Sequence, residues 1–167
     1  FLITPFFVYF LVYISPSFFP IIENDSFSYI NNENIRLSFY PLIIDLFNEN
    51  LNNVIYLQVF LFSVSLTFLI FALKKEKVHN FLILVFFLLI ISNFYYTSFT
   101  KTILIESFFI STINFLISFI LFYKNSKKRI FLSPLIGFFL GLLIALRHEG
   151  IIISFLFFLI VLLLESM

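Results

Sequence analysis

The chain of 167 residues contains no cysteine and no tryptophan, only three glycines and one methionine, and just 11% charged residues. Without cysteine there is no disulfide and no thiolate metal site, and the redox compartment cannot be read. The scarcity of charge excludes a soluble domain, because 62% hydrophobic residues cannot be hidden in a core of this size. Strict alternation of apolar and polar residues is also missing, which excludes a transmembrane β-barrel. A net charge of +1 offers nothing for a nucleic-acid partner. What remains is an all-α, polytopic membrane helical bundle.

Six apolar runs are present, at about residues 1–19, 54–73, 81–99, 103–123, 130–146 and 150–164. A hydrocarbon core of about 30 Å needs roughly 17–25 helical residues, so about six transmembrane helices are expected. The first run lacks a basic start and a small-residue cleavage site, and Pro5 and Pro16 interrupt it, so it is not a simple signal peptide. The chain starts without Met and stops at Met167 inside an apolar run. It is therefore expected to be a single transmembrane domain, residues 1–167, that forms a portion of a longer protein.

The charges are sorted by position. Seven of the ten basic residues (Lys74, Lys75, Lys77, Lys124, Lys127, Lys128 and Arg129) lie in two joins separated by two spans. Basic residues stay preferentially in cytoplasmic loops, so these joins orient the chain in the cytoplasmic membrane. The 20–53 segment and the turns at 97–106 and 146–150 then face outside.

Residues 20–53 form the only long loop. It holds Glu23, Asp25, Glu33, Asp45 and Glu49, with Arg36 as its one base. Leu42, Ile43, Leu46, Phe47 and Leu51 follow the spacing of an amphipathic helix lying in the membrane interface. Pro41 suits its first turn. In the fifth run, Gly137 and Gly141 have the spacing that lets helices approach closely, here within one bundle.

Three outward segments carry the candidate chemistry. Asp25 stands just above the membrane, where an acid is ordinarily a solvated loop carboxylate. Glu106 lies at the outer end of the fourth run, where an ionisable group is costly unless it meets a cavity or partner or snorkels to the interface. Lys101 is about one turn before it and could pair with it. Arg147, His148 and Glu149 fill the turn between the last two runs. An arginine there can hold a carboxylate or phosphate with two hydrogen bonds, and the bland alternative is a polar turn separating two helices. His148 could be a proton carrier or metal ligand, although an interfacial His is more often neither. Carboxylates to take a proton, with cations beside them, suit transfer from a phosphorylated donor. They also suit a proton-coupled transporter.

The order of these segments resembles the GT-C superfamily of membrane glycosyltransferases, of the protein mannosyltransferase and lipid A aminoarabinose transferase type. Asp25 to Tyr29 (DSFSY) is similar to that family's acidic loop motif. Arg36 to Leu42 (RLSFYPL) resembles its Arg-x-x-x-Tyr-Pro stretch. Ile103 to Phe109 (ILIESFF) resembles its Thr-Glu-Ser start of a span, with Ile105 in place of Thr. Gly137 to Gly150 resembles its Gly-rich helix ending in Arg-Pro-Glu-Gly, with His148 in place of Pro.

The resemblance implies a polyprenyl-phosphate-linked sugar as donor and a lipid, glycan or protein acceptor on the extracytoplasmic side. It implies Asp25 and Glu106 as catalytic carboxylates. The donor would be bound by Arg36, Tyr29, Tyr40, Lys101, Arg147, His148 and Glu149, with Lys101 added for its position alone. A divalent metal ion on Asp25 and Glu106 is open, since Ser26 stands where a second adjacent acid is common. The alternatives are a transporter or lipid flippase coupled through Glu106 and Arg147, and a non-catalytic membrane subunit.

Overall fold

The computed structural model describes residues 20–31, 39–93, 98–124, 126 and 129–166. The first apolar run and Arg36 lie outside them. The described residues form seven helices and no strand: α1 (Asn24–Ile30), α2 (Phe39–Leu46), α3 (Leu51–Lys75), α4 (Asn80–Ser92), α5 (Glu106–Lys124), α6 (Arg129–Leu146) and α7 (Gly150–Ser166).

Three of these, α3, α5 and α6, are long and apolar enough to cross a membrane. Helix α3 alone, at 25 residues, reaches about 37 Å at about 1.5 Å per residue. Of the other expected spans among the described residues, one is shorter than the sequence predicts and one slightly longer. The third run was expected to be helical through residue 99, but its helix stops at Ser92, where Asn93 turns to extended backbone. Its 13 residues span only about 20 Å. Helix α7 has 17 residues.

The bundle is built outward from α3 and α5, with α6 packed on α5 and α7 on α6. The α3–α5 seam carries small hydroxyl residues: Ser63, Ser65, Ser111, Thr112 and Ser118 are all buried. Their hydroxyls donate back into their own helices, as from Ser111 to the Ser107 carbonyl at 2.7 Å and from Ser118 to Asn114 at 2.6 Å. Small residues let helix backbones approach where no hydrophobic effect drives packing, and a satisfied hydroxyl costs little there. Asn114 adds a cross-link, donating to Ser65 Oγ at 3.4 Å. Phenylalanines join the helices at the edges of the seam, with Phe68 of α3 edge-on to Phe115 of α5 at 5.6 Å and Phe139 of α6 stacked on Phe115 and Phe119 at 5.3 and 5.4 Å.

These contacts fix the helix directions. Helices α3, α5 and α7 run one way, and α6 runs back between α5 and α7. Residues 20–31 and 39–50, the 98–105 turn and the 147–149 turn therefore share one end of the bundle. Lys75, Lys124 and Arg129 share the other. There Lys124 pairs with Glu76 at 3.1 Å, Lys75 sits over the Phe122 ring at 5.3 Å, and Arg129 over Tyr123 at 5.5 Å. The Tyr123 hydroxyl donates to Glu165. Among the described residues, the charges assigned to opposite sides by sequence are thus at opposite ends, while Lys127 and Lys128 lie outside the described residues.

Two expectations need correction. The amphipathic helix does form, with Pro41 in its first turn and Leu42 and Leu46 exposed. It does not run on to Leu51. Asn48 and Glu49 adopt positive φ, 50° and 61°, and break the chain there. Asn50 then caps α3 by accepting from the Asn53 amide at 3.4 Å, so Leu51 opens the next helix. Nor do Gly137 and Gly141 pack against a neighbouring helix among the described residues, since a Cβ added at either would meet nothing there within 4 Å. The close approach is at Gly150, where a Cβ would lie 2.0 Å from the Leu143 carbonyl oxygen. Only glycine lets α7 start against the last turns of α6.

Candidate functional site at the polar end of the bundle

The site is organised around Tyr40. Short helix α2 sets this side chain inward, one turn before Ile44, and both are buried. Tyr29 of α1 meets its ring edge-on at 5.0 Å and Phe108 of α5 at 5.6 Å. The Tyr40 hydroxyl donates to Gln58 Oε1 at 2.8 Å. Gln58, buried one to two turns inside α3, donates in turn to the carbonyls of Thr102 at 3.0 Å and Phe99 at 3.4 Å. A buried amide whose donor and acceptor are both used is stable in an apolar helix, and it fixes the segments that satisfy it.

The 98–105 turn is pinned from the other side as well. The Ile21 amide donates to the Lys101 carbonyl and the Ile103 amide to the Ile21 carbonyl, both at 3.0 Å. This isolated parallel bridge brings the start of α1 beside the start of α5.

Glu106 opens α5 and faces the turn between α6 and α7. Arg147 Nη1 donates to Glu106 Oε1 at 2.9 Å. The other edge of the same guanidinium is held by Glu149, with Nε to Oε2 at 3.2 Å and Nη2 to Oε1 at 3.3 Å. The guanidinium also sits 5.8 Å from the centre of the Phe109 ring. Glu106 Oε2 and Ser107 Oγ are buried and have no hydrogen-bond partner among the described residues.

The electrostatics follow from this packing. Burial pushes the Tyr40 phenol far above its usual range, and the nearby Tyr29 and Glu106 push the same way. Burial lowers the Lys101 ammonium. For Arg147, burial opposes the charge, but the hydrogen bond to Glu149 and the charges of Glu106 and Glu149 outweigh it, so the guanidinium is raised. Glu149 is held below the usual carboxylate range, first by its own backbone amide and then by Arg147.

Of the residues singled out by sequence, the structure brings together Tyr29, Tyr40, Glu106, Arg147 and Glu149. Lys101 is buried in the adjoining turn. Asp25 is exposed in the first turn of α1, one turn before Tyr29 and so on the same side of that helix. His148 is exposed on the turn. Arg36 lies outside the described residues. Sequence reasoning missed Gln58 and Phe109. Gln58 did carry a signal, as an amide inside an apolar run, and Phe109 closes the Ile103 to Phe109 motif, although nothing in its residue type marks a role among 29 phenylalanines.

The donor set does not fit a divalent metal ion. No group of three or more His, Cys, Asp or Glu gathers among the described residues. Glu106 is moreover already engaged by a guanidinium, whose charge opposes a cation at the same carboxylate. The arrangement is a guanidinium fork beside an aromatic wall, held on both edges by carboxylates, so an anion could take the fork only by displacing one of them. No family model, characterised protein or solved structure matches the chain.

Proposed function

We propose that this chain is part of a GT-C-type membrane glycosyltransferase, which moves a sugar from a polyprenyl-phosphate donor to an acceptor on the extracytoplasmic side. The observation that carries the reading is the contact between Glu106 and Arg147. It joins two of the motif segments, 41 positions apart, at the same end of the bundle as the acidic loop.

The reaction is an inverting displacement. An acceptor hydroxyl oxygen attacks the anomeric carbon, and the bond to the phosphate oxygen breaks, its electron pair leaving with the polyprenyl phosphate. The hydroxyl proton passes to the Asp25 carboxylate. Arg147 and, by resemblance, Arg36 hold the departing phosphate, whose growing charge a guanidinium stabilises. Glu106 orients Arg147. Tyr29 and Tyr40 form the wall beside the headgroup, and the isoprenoid lies along the apolar helices. Six spans and a cytoplasmic-membrane location with the site outside belong to the same proposal, supported by the placement of the basic joins at the opposite end.

Nothing favours a transporter to the same degree, because α3, α5 and α6 carry no Asp, Glu, Lys or Arg between their end turns. The test is sugar transfer by the full-length protein with polyprenyl-phosphate sugars as donors. Undiminished activity in Asp25→Asn would remove Asp25 from the mechanism, and failure with every such donor would remove the reading.

A further inference from the structure

We propose that Glu149 is a built-in placeholder for the donor phosphate: its carboxylate occupies one bidentate edge of Arg147 and is displaced when the phosphate binds. This rests on the reading of Arg147 as a phosphate ligand.

The two carboxylates on Arg147 are not equivalent. Glu106 takes Nη1 at the shorter distance, 2.9 Å, and its side chain is 26% exposed. It sits on the first turn of a well-packed helix. Glu149 takes the Nε–Nη2 edge at 3.2 and 3.3 Å. Its side chain is 63% exposed, on a turn two residues from its partner.

The edge that Glu149 fills is one of the two on which a guanidinium holds a phosphate bidentately, and Glu106 already takes part of the other through Nη1. A guanidinium presents two parallel N–H groups there, and carboxylate and phosphate oxygens match them with the same spacing. A pair this exposed is weak, because water screens it and solvates either partner alone. A phosphate bringing more charge and a lipid anchor can therefore take the edge, while Glu106 keeps the guanidinium aimed. Glu149 then swings into water with little desolvation to undo. After transfer its return to the fork competes with the product phosphate and speeds release.

The experiment is equilibrium binding of farnesyl phosphate, with farnesol as control, to the full-length protein in nanodiscs. Glu149→Gln is expected to tighten farnesyl phosphate about two- to fivefold, the weight of an exposed ion pair, and to leave farnesol unchanged. Glu149→Ala should do the same, which covers the case of a Gln that still bonds to Arg147. In an Arg147→Lys background the gain should vanish, because an ammonium has no fork.

Unchanged or weaker phosphate binding in both Glu149 variants, with binding still dependent on Arg147, overturns the placeholder and leaves the phosphate site standing. A gain that persists with Lys at position 147 also overturns it, since general charge removal then suffices. Farnesyl phosphate binding no better than farnesol in any variant overturns the phosphate reading and the placeholder together.

Discussion

Arg147 Nη1 lies 2.9 Å from Glu106 Oε1 across 41 positions of sequence. This bond ties the α6–α7 turn to the start of α5, and both groups are partly open to solvent. Removing either partner should cost little stability but much geometry. In a double-mutant cycle with Glu106→Gln and Arg147→Gln, the coupling measured by unfolding should be about 1 kcal/mol or less. Sugar transfer should fall by about tenfold or more in each single variant, through a guanidinium that is misaligned or absent. A large stability coupling with activity intact would make the pair purely structural.

Tyr40→Phe should be the more destabilising change. It leaves Gln58 Oε1 buried without the donor now at 2.8 Å, and an orphaned buried acceptor costs about 1–3 kcal/mol. Replacing both partners, Tyr40→Phe with Gln58→Leu, should recover part of the loss. Thermal unfolding of the two variants in detergent checks this, and a neutral Tyr40→Phe would mean that water replaces the lost bond.

Gly150→Ala should lower stability by about 1–3 kcal/mol, the usual cost of overpacking, because its Cβ would lie 2.0 Å from a backbone oxygen. Gly141→Ala should be neutral or stabilising by up to about 1 kcal/mol, since it meets open space and alanine favours helix. Comparing the two melting temperatures tests both. A loss at position 141 would reveal a packing partner for that face.

The pH dependence has a definite sign. Glu149 has a depressed folded-state pKa, so its contribution is present above the ordinary glutamate range. It is lost as pH falls through the depressed value, where the folded protein also takes up the proton. Glu149→Gln should therefore lose that contribution at neutral and alkaline pH, flatten the acid dependence of stability and meet the parent protein at low pH. Identical acid unfolding curves for the two proteins would refute this.

The broad architecture was readable because its signals are long. Apolar runs and two basic joins define helices and their ends, and the shared ends follow from alternation alone. Local breaks were not readable. Asn48 and Glu49 leave the helical region in a stretch whose apolar spacing continues to Leu51, and Asn93 stops α4 inside a run that still looks hydrophobic. The glycine pair on α6 looked like a packing seam, but i, i+4 spacing defines a face and does not say what covers it. At the site, Glu106 and Arg147 were each visible as charges at span ends, while their contact depends on α6 running back along α5. Gln58 shows the converse, a residue whose type was conspicuous and whose partners only the fold could supply.

That glutamine anchors Tyr40 and the 98–105 turn to a helix long enough to cross the membrane. The segments at this end of the bundle therefore take their position from within the bundle as well as from one another. Exposed loop residues can therefore be exchanged while the aromatic wall and the start of α5 stay in register, so change at the loop surface need not disturb the scaffold.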